Sequence, residues 1–451
     1  MAGALIVPVV DEGLGNSAYL VDLGDGRALA VDVPRDLRAV RVAAARHGLS
    51  VAFAADTHLH ADFLSGALQL AADDGAQILA SASGGRAFGH RGLADEDEVD
   101  LGGLRLRAWA TPGHTAEHVA YLLLDGGNVL GVFTGGSLIV GAAARTDLSG
   151  PDQTESLARA QYASLHRLLA LPEVTPVYPT HGVGSFCSAP PGADRITTIG
   201  REKATNPLLA TAGEDAFVTA LMSGLGTFPG YFGRLPEQNR LGPAVLVSAP
   251  ALATLTAAQV RAIQRDGGQV IDVRPVAHYA AGHIPRALAI PLRDAFATWL
   301  GWLVSDPAAP LVIVADPGQD LADAAWQALK IGYENLAGTL AGGMPAWEEA
   351  GLPVAATPLL DPGQVDPAAV IDVRQASEYA GGHLPGARNI ELGSLTGQAP
   401  AVTGRPVVLM CGHGERATTA ASVLERAGHP AVAVLTGGPP DWAEATGGRL
   451  A

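Results

Sequence analysis

Short apolar runs separated by glycine and polar residues open the chain. Ala4–Val10, Ala18–Val21, Ala28–Val31 and Val51–Ala55 have the composition and length of strands. Asp36–His47 and Glu155–Leu169 place apolar residues at helical spacing, so strands and helices alternate through the first 187 residues. From 188 to 255 the texture changes to proline- and glycine-rich segments around one helical stretch near Asp215–Met222, which predicts an extension of the first domain and a linker. Beyond that the chain repeats itself. IDVRPVAHYAAGHIPRALAIPL at 271–292 returns as IDVRQASEYAGGHLPGARNIEL at 371–392, and GGMPAW at 342–347 returns as GGPPDW at 437–442. Two related domains in tandem are predicted, 256–355 and 356–451.

Composition narrows the classes. Hydrophobic residues make up 48% of the 451 and charged residues 16%, as expected of folded domains. A net charge of −16 argues against nucleic-acid partners and anionic membranes, both of which need a basic surface. The segment MAGALIVPVVDEG reads as a first strand and not as a signal peptide, and no apolar run reaches the roughly 18–20 residues of a membrane span. Two cysteines, Cys187 and Cys411, exclude a disulfide framework and point to a reducing cytoplasm.

Cys411 lies between an apolar strand, PVVLM, and a helical segment, ATTAASVLERAG, in the loop CGHGER. Gly412 and Gly414 let such a loop curl so that successive backbone N–H groups face one point, and the following helix N-terminus adds positive field. A thiolate or persulfide anion is stabilised there. In the preceding repeat the equivalent loop reads DPGQDL. Asp316 replaces Cys411, Pro317 brings no N–H, and Leu321 stands in place of Arg416, so that copy cannot run thiol chemistry.

The first domain carries ordered histidines: Thr57-His58-Leu59-His60-Ala61-Asp62-Phe63 after an apolar strand, then Pro112-Gly113-His114-Thr115, then Thr180-His181-Gly182. Strand ends that bring several imidazoles and a carboxylate to one point suit a metal ion.

The Asp-x-Arg strand ends, the Gly-His-x-Pro-Gly-Ala turn at Gly382–Ala387 and the C-x4-R loop resemble the rhodanese family. The histidine set resembles the metallo-β-lactamase superfamily, especially persulfide dioxygenases fused to rhodanese domains. Shared features are the HxHADF run, the Arg145-x-Asp147 segment and the THGxGSFC run that ends at Cys187. The resemblance implies an α/β fold: an N-terminal αββα sandwich followed by two rhodanese-like domains with mainly parallel sheets. It implies Cys411 as nucleophile, with Arg416 closing a cradle formed by Gly412, His413, Gly414 and Glu415. Arg145 and Cys187 are implied at the substrate. One divalent metal is implied, Fe(II) first and zinc second, on His58, His60 and His114, with Asp62 and His181 as ligands or supporting partners.

Two departures qualify it. Phe63 replaces the second-ion histidine of dinuclear hydrolases, and Gly136 replaces the metal-binding aspartate of a Thr-Gly-Asp segment. Restoring that acid by Gly136→Asp is expected to tighten Fe(II) binding. The function implied is oxidation of a low-molecular-weight thiol persulfide by O2 to sulfite, coupled to sulfur transfer to a thiol or sulfite. The alternatives are a sulfurtransferase or persulfide carrier with an impaired first domain, and a thioester hydrolase. Homo-oligomerisation is left open.

Overall fold

The computed structural model describes residues 4–186, 194–402, 407–429 and 431–451. Cys187 lies outside them. The chain divides into two compact units, Met1–Ala249 with Leu329–Gly332, and Pro250–Ala328 with Tyr333–Ala451. No helix among the described residues is long and apolar enough to cross a membrane.

In the first unit two six-stranded sheets face each other. One runs Ile6–Asp11, Asn16–Asp22, Arg27–Val31, Ser50–Ala55, Gln77–Ser81, Arg91–Leu93. The other runs Thr197–Thr198, Pro176–Pro179, Asn128–Gly135, Val119–Asp125, Leu104–Ala110, Glu98–Asp100. Strand periodicity explains the layering. In Asn16–Asp22, Tyr19 and Val21 enter the core between the sheets, while Ala18 and Leu20 face helices Arg38–Arg46 and Ala67–Asp74. In Val119–Asp125, Val119, Tyr121 and Leu123 face inward, and Ala120, Leu122 and Leu124 meet helices Pro151–Leu168 and Glu214–Ser223. Strands buried on both faces read as continuous apolar runs, and the result is an αββα sandwich.

The extension differs from its expectation. Beside Glu214–Ser223 it forms helices Ile199–Thr205 and Leu235–Leu241, seven residues each. Elements this short show no clear helical period in sequence, and tertiary contacts hold them instead. Ile199 joins the core beneath the second sheet, and Asn239 reaches the histidine loop.

The second unit contains two five-stranded parallel sheets of identical order. The first runs Thr254–Leu255, Leu336–Leu340, Leu311–Val314, Gln269–Asp272, Leu288–Ala289; the second runs Leu359–Leu360, Val432–Leu435, Val407–Met410, Val370–Asp372, Arg388–Asn389. The repeated sequence does the same work in both. Asp272 and Asp372, fully buried, each accept a forked pair from the arginine two residues on, Arg274 or Arg374. That arginine also donates to Gly282 O or Gly382 O. Tyr279 stacks on His283 at 3.8 Å between centroids, and Tyr379 on His383 at 3.7 Å. These shared residues are scaffold, since they behave alike whether or not the copy has a cysteine.

Candidate functional site

In the first unit, loops following strands Ser50–Ala55, Leu104–Ala110 and Pro176–Pro179 deliver His58, His114 and His181 to one place. All three are 1% exposed, and one ligand-capable atom from each lies within 4.8 Å of the others. Hydrogen bonding fixes their tautomers. His114 Nδ1 lies 2.7 Å from the Arg145 carbonyl, which can only accept. Thr57 gives its hydroxyl hydrogen to Asp32 Oδ2 at 2.7 Å, so it accepts from His58 Nδ1 at 2.8 Å. Asn16 Nδ2 donates to Asp62 Oδ2 at 2.7 Å, which turns Asn16 Oδ1 toward His181 Nδ1 at 3.0 Å. Each ring therefore carries its proton on Nδ1 and its lone pair on Nε2. His58 Nε2 and His181 Nε2 stand 3.4 Å apart.

Three converging lone pairs in a dry site repel one another unless a cation sits among them, and neutral imidazoles braced through Nδ1 are what metal ligation requires. Burial first, and then the imidazoles of His60, His114, His118 and His181, push His58 well below the ordinary histidine range. It stays neutral and able to ligate. Burial opposes ionisation of Asp62, but His181, His60 and Asn16 outweigh it and hold the carboxyl down to about 2. Buried His60 Nδ1 and Asp62 Oδ1 have no hydrogen-bond partner, which leaves two more donor atoms beside the cluster. The donor set fits one divalent ion.

The structure groups His58 and His114 with His181, and it also brings His58 and His60 together with Asp32, whose ligand-capable atoms lie within the same 4.8 Å of one another. His60 lies against His58, with centroids 4.1 Å apart, and its Nε2 meets Asp32 Oδ1 at 3.1 Å. Phe63 stacks on His60, also at 4.1 Å. His118 is occupied within the fold: its Nε2 accepts from Gly136 N–H at 3.1 Å, and its Nδ1 lies 2.9 Å from the Thr111 hydroxyl.

Gly136 is more than a missing acid. A Cβ built there would collide with His114 Cδ2, lie 2.8 Å from its Cγ and 3.0 Å from its Nε2. The His114 ring occupies the space that a side chain at 136 would need. Aspartate at 136 can therefore complete the site only if the His114 ring moves.

Arg145, expected at the substrate, is 1% exposed. Its guanidinium holds Asp147 through two bonds of 2.7 and 2.8 Å and also donates to Phe186 O and Gly226 O.

In the second unit Cys411 follows strand Val407–Met410 and is 2% exposed. Gly414, at φ 89, turns its N–H onto Cys411 Sγ at 3.2 Å and opens the helix Glu415–Arg426. Only glycine adopts that φ without strain, which explains its place in the loop. Arg416 forks onto Glu378 at 2.6 and 2.8 Å. A cavity of about 240 Å³ opens over the sulfur, lined by Gly412, His413, Glu415 and Arg416 and, from the preceding repeat, by Arg293 and Trp299. In that preceding repeat Asp316 instead meets His278 at 2.5 Å, and Gln319 bonds the Asp316 N–H and the Val273 carbonyl, so the loop is filled by its own side chains.

The rhodanese-like domain model matches residues 256–350 and 356–445. A hydroxyacylglutathione hydrolase of Methylobacterium sp. (strain 4-46) is 31% identical over 235 residues, covering 46% of this chain and 86% of that protein. The mitochondrial persulfide dioxygenase of Homo sapiens is 29% identical over 185 residues, 40% of this chain and 64% of its own length. The crystal structure of a metallo-beta-lactamase from Staphylococcus aureus subsp. aureus COL superposes with a TM-score of 0.68 and 26% identity over 75% of this chain and 99% of that one. The chain belongs to the metallo-β-lactamase-fold proteins fused to rhodanese domains.

For a rhodanese-fused metallo-β-lactamase-fold protein with such relatives, a role in sulfur metabolism is supported, and the histidine cluster suits a divalent metal. Several functional residues escaped sequence reading. Asp32, with φ 51, gathers Thr57 N–H, the Thr57 and Thr180 hydroxyls and His60. Asn16 orients His181, and Asn239 ties down the His60 and Phe63 carbonyls at 2.8 and 2.9 Å. A usable signal existed for Asp32 alone: an acid directly after the all-apolar run ALAV at a strand end.

Proposed function

We propose that this protein processes sulfane sulfur at two centres: a mononuclear metal site on His58, His114 and His181 that oxidises a small thiol persulfide, and a sulfurtransferase site at Cys411. The observation that carries the first part is the convergence of three Nε2 lone pairs, and by the family resemblance Phe63 stands where dinuclear hydrolases carry a second-ion histidine. A site of that kind lacks the paired ions with which dinuclear hydrolases clamp a water. The relative named as a persulfide dioxygenase supports the same direction. In this reading the ion is Fe(II), and it supplies a binding point for the persulfide sulfur and for O2. The overall change is RSSH + O2 + H2O → RSH + H2SO3. The chain's own share is to keep the three Nε2 atoms deprotonated through Arg145 O, Thr57 and Asn16, and to exclude bulk water by burial.

At Cys411 the thiolate attacks the outer sulfur of thiosulfate. The donor S–S bond breaks, sulfite leaves with the bonding pair, and a Cys411 persulfide anion forms. An acceptor thiol then takes the outer sulfur and returns Cys411 as thiolate, its proton passing to solvent. The Gly414 N–H and the helix behind it hold the anionic charge at each stage.

A non-oxidising protein is the second reading, and Gly136 is what favours it. Purified protein loaded with Fe(II) and given glutathione persulfide decides between them. The proposal expects O2 uptake matched by sulfite formation, whereas sulfur transfer without O2 uptake would leave the second reading standing. Cys411→Ser is expected to abolish transfer from thiosulfate, and Asp316→Ala to retain it. Transfer retained in the serine variant would refute the assignment.

A further inference from the structure

The repeat that lost its cysteine still faces the one that kept it. Its segment between strands Leu288–Ala289 and Leu311–Val314, including helix Phe296–Leu303, contributes Arg293 and Trp299 to the wall of the Cys411 cavity. This placement is well anchored. Glu425 accepts from the Arg286 N–H and meets His283 Nε2, both at 2.8 Å; Ser422 Oγ accepts from the Ala289 N–H at 3.1 Å; Arg426 reaches Arg286 O and Gln269. The C-terminal half of the helix that begins beside Cys411 is thus seated against the other repeat.

The charges inside the cavity are not equivalent. Arg416 is locked: its fork onto Glu378 uses both terminal nitrogens, and Glu378 is drawn down by that pairing against the opposing effect of burial. Arg293 is not. It meets Glu415 at 3.1 Å through Nε, and the two side chains are 41% and 37% exposed. Exposed pairs of this kind are weak and readily exchanged. Arg293 is therefore the cation that an incoming anion can recruit, offering a planar fork once it leaves Glu415. Glu415, which stands one residue past the sulfur-facing Gly414, is the group that otherwise repels such an anion.

We propose that Arg293, on the cysteine-less repeat, is the specificity-determining residue of the Cys411 site, binding the anionic group of the sulfur donor or acceptor (a sulfonate or carboxylate) in exchange for Glu415. The middle domain is then half of the active site, with Trp299, 9% exposed, as the apolar wall beside that anion. This rests on the sulfur-transfer reading of Cys411.

The test uses the full chain and two readouts. In thiosulfate-dependent transfer, Arg293→Gln is expected to raise KM about tenfold, the loss of a charge-assisted hydrogen bond, with a smaller effect on kcat. Arg293→Lys restores part of the loss, and Glu415→Gln shifts KM the opposite way. Independently of turnover, the rate of Cys411 alkylation by anionic iodoacetate relative to neutral iodoacetamide, mapped by mass spectrometry, is expected to fall in Arg293→Gln and rise in Glu415→Gln. An active wild type whose KM and alkylation ratio are both unmoved by Arg293→Gln overturns this inference and leaves the sulfur-transfer reading intact. A wild type that neither transfers sulfur nor alkylates at Cys411 overturns the reading itself, and the inference with it.

Discussion

At the residue scale, the most informative position in the first domain is a glycine. In Thr134-Gly135-Gly136-Ser137 the sequence shows a position without a ligating side chain where the resembled family carries an acid. What could not be read is that His114 lies against that backbone, because the approach depends on a loop 22 residues away in sequence. Gly136→Asp is accordingly expected to lower metal affinity by at least about tenfold, by pushing a ligand out of place. Isothermal titration of the apo protein with Zn(II) or Fe(II) reads this directly. Tighter binding in the folded variant would show that His114 can give way and that the acid completes the site. The same scale explains His60 and His181. His58-x-His60 is a local pattern, whereas His181, 123 residues beyond His58, is a ligand or supporting partner only by the family resemblance, and strand order and Asn16 set it in place.

At the element scale, elements with a clear apolar pattern were legible, and the short helices of the proline- and glycine-rich extension were not. Helix Glu155–Leu169 was read from its apolar spacing and is found as Pro151–Leu168; strand Ala28–Val31 is found as Arg27–Val31. Helix Leu235–Leu241, hidden in GRLPEQNRLG, has a functional task despite its length. Its Asn239 side chain, 1% exposed, donates to His60 O and Phe63 O and accepts from the Ser65 N–H at 2.8 Å. Three backbone groups of the histidine loop thus depend on one amide. Asn239→Ala leaves three groups buried without partners, at about 1–3 kcal/mol each, so a destabilisation of at least about 3 kcal/mol is expected. Urea denaturation checks it, and a change below about 0.5 kcal/mol would mean that water takes over the amide's role.

At the scale of the whole molecule, the tandem repeat was the clearest feature of the sequence, because two copies of one pattern supply their own comparison. The Asp-x-Arg and Gly-His-x-Pro blocks recur because both sheets need the same buried fork and the same stacked Tyr–His pair. Only the loop between them distinguishes a copy with chemistry from one without. The net charge of −16 coexists with arginines at the Cys411 cavity, so an acidic chain can still offer a local positive site to small anionic sulfur species. The metal centre proposed for this molecule is built from three imidazoles, those of His58, His114 and His181. Its most direct test is the metal content of purified His181→Ala beside wild type, with circular dichroism confirming the fold of both. About one ion per chain is expected in the wild type, with loss of most of it in the variant, since a third of the ligand set is gone. A folded His181→Ala protein that retains the full complement of metal would contradict it.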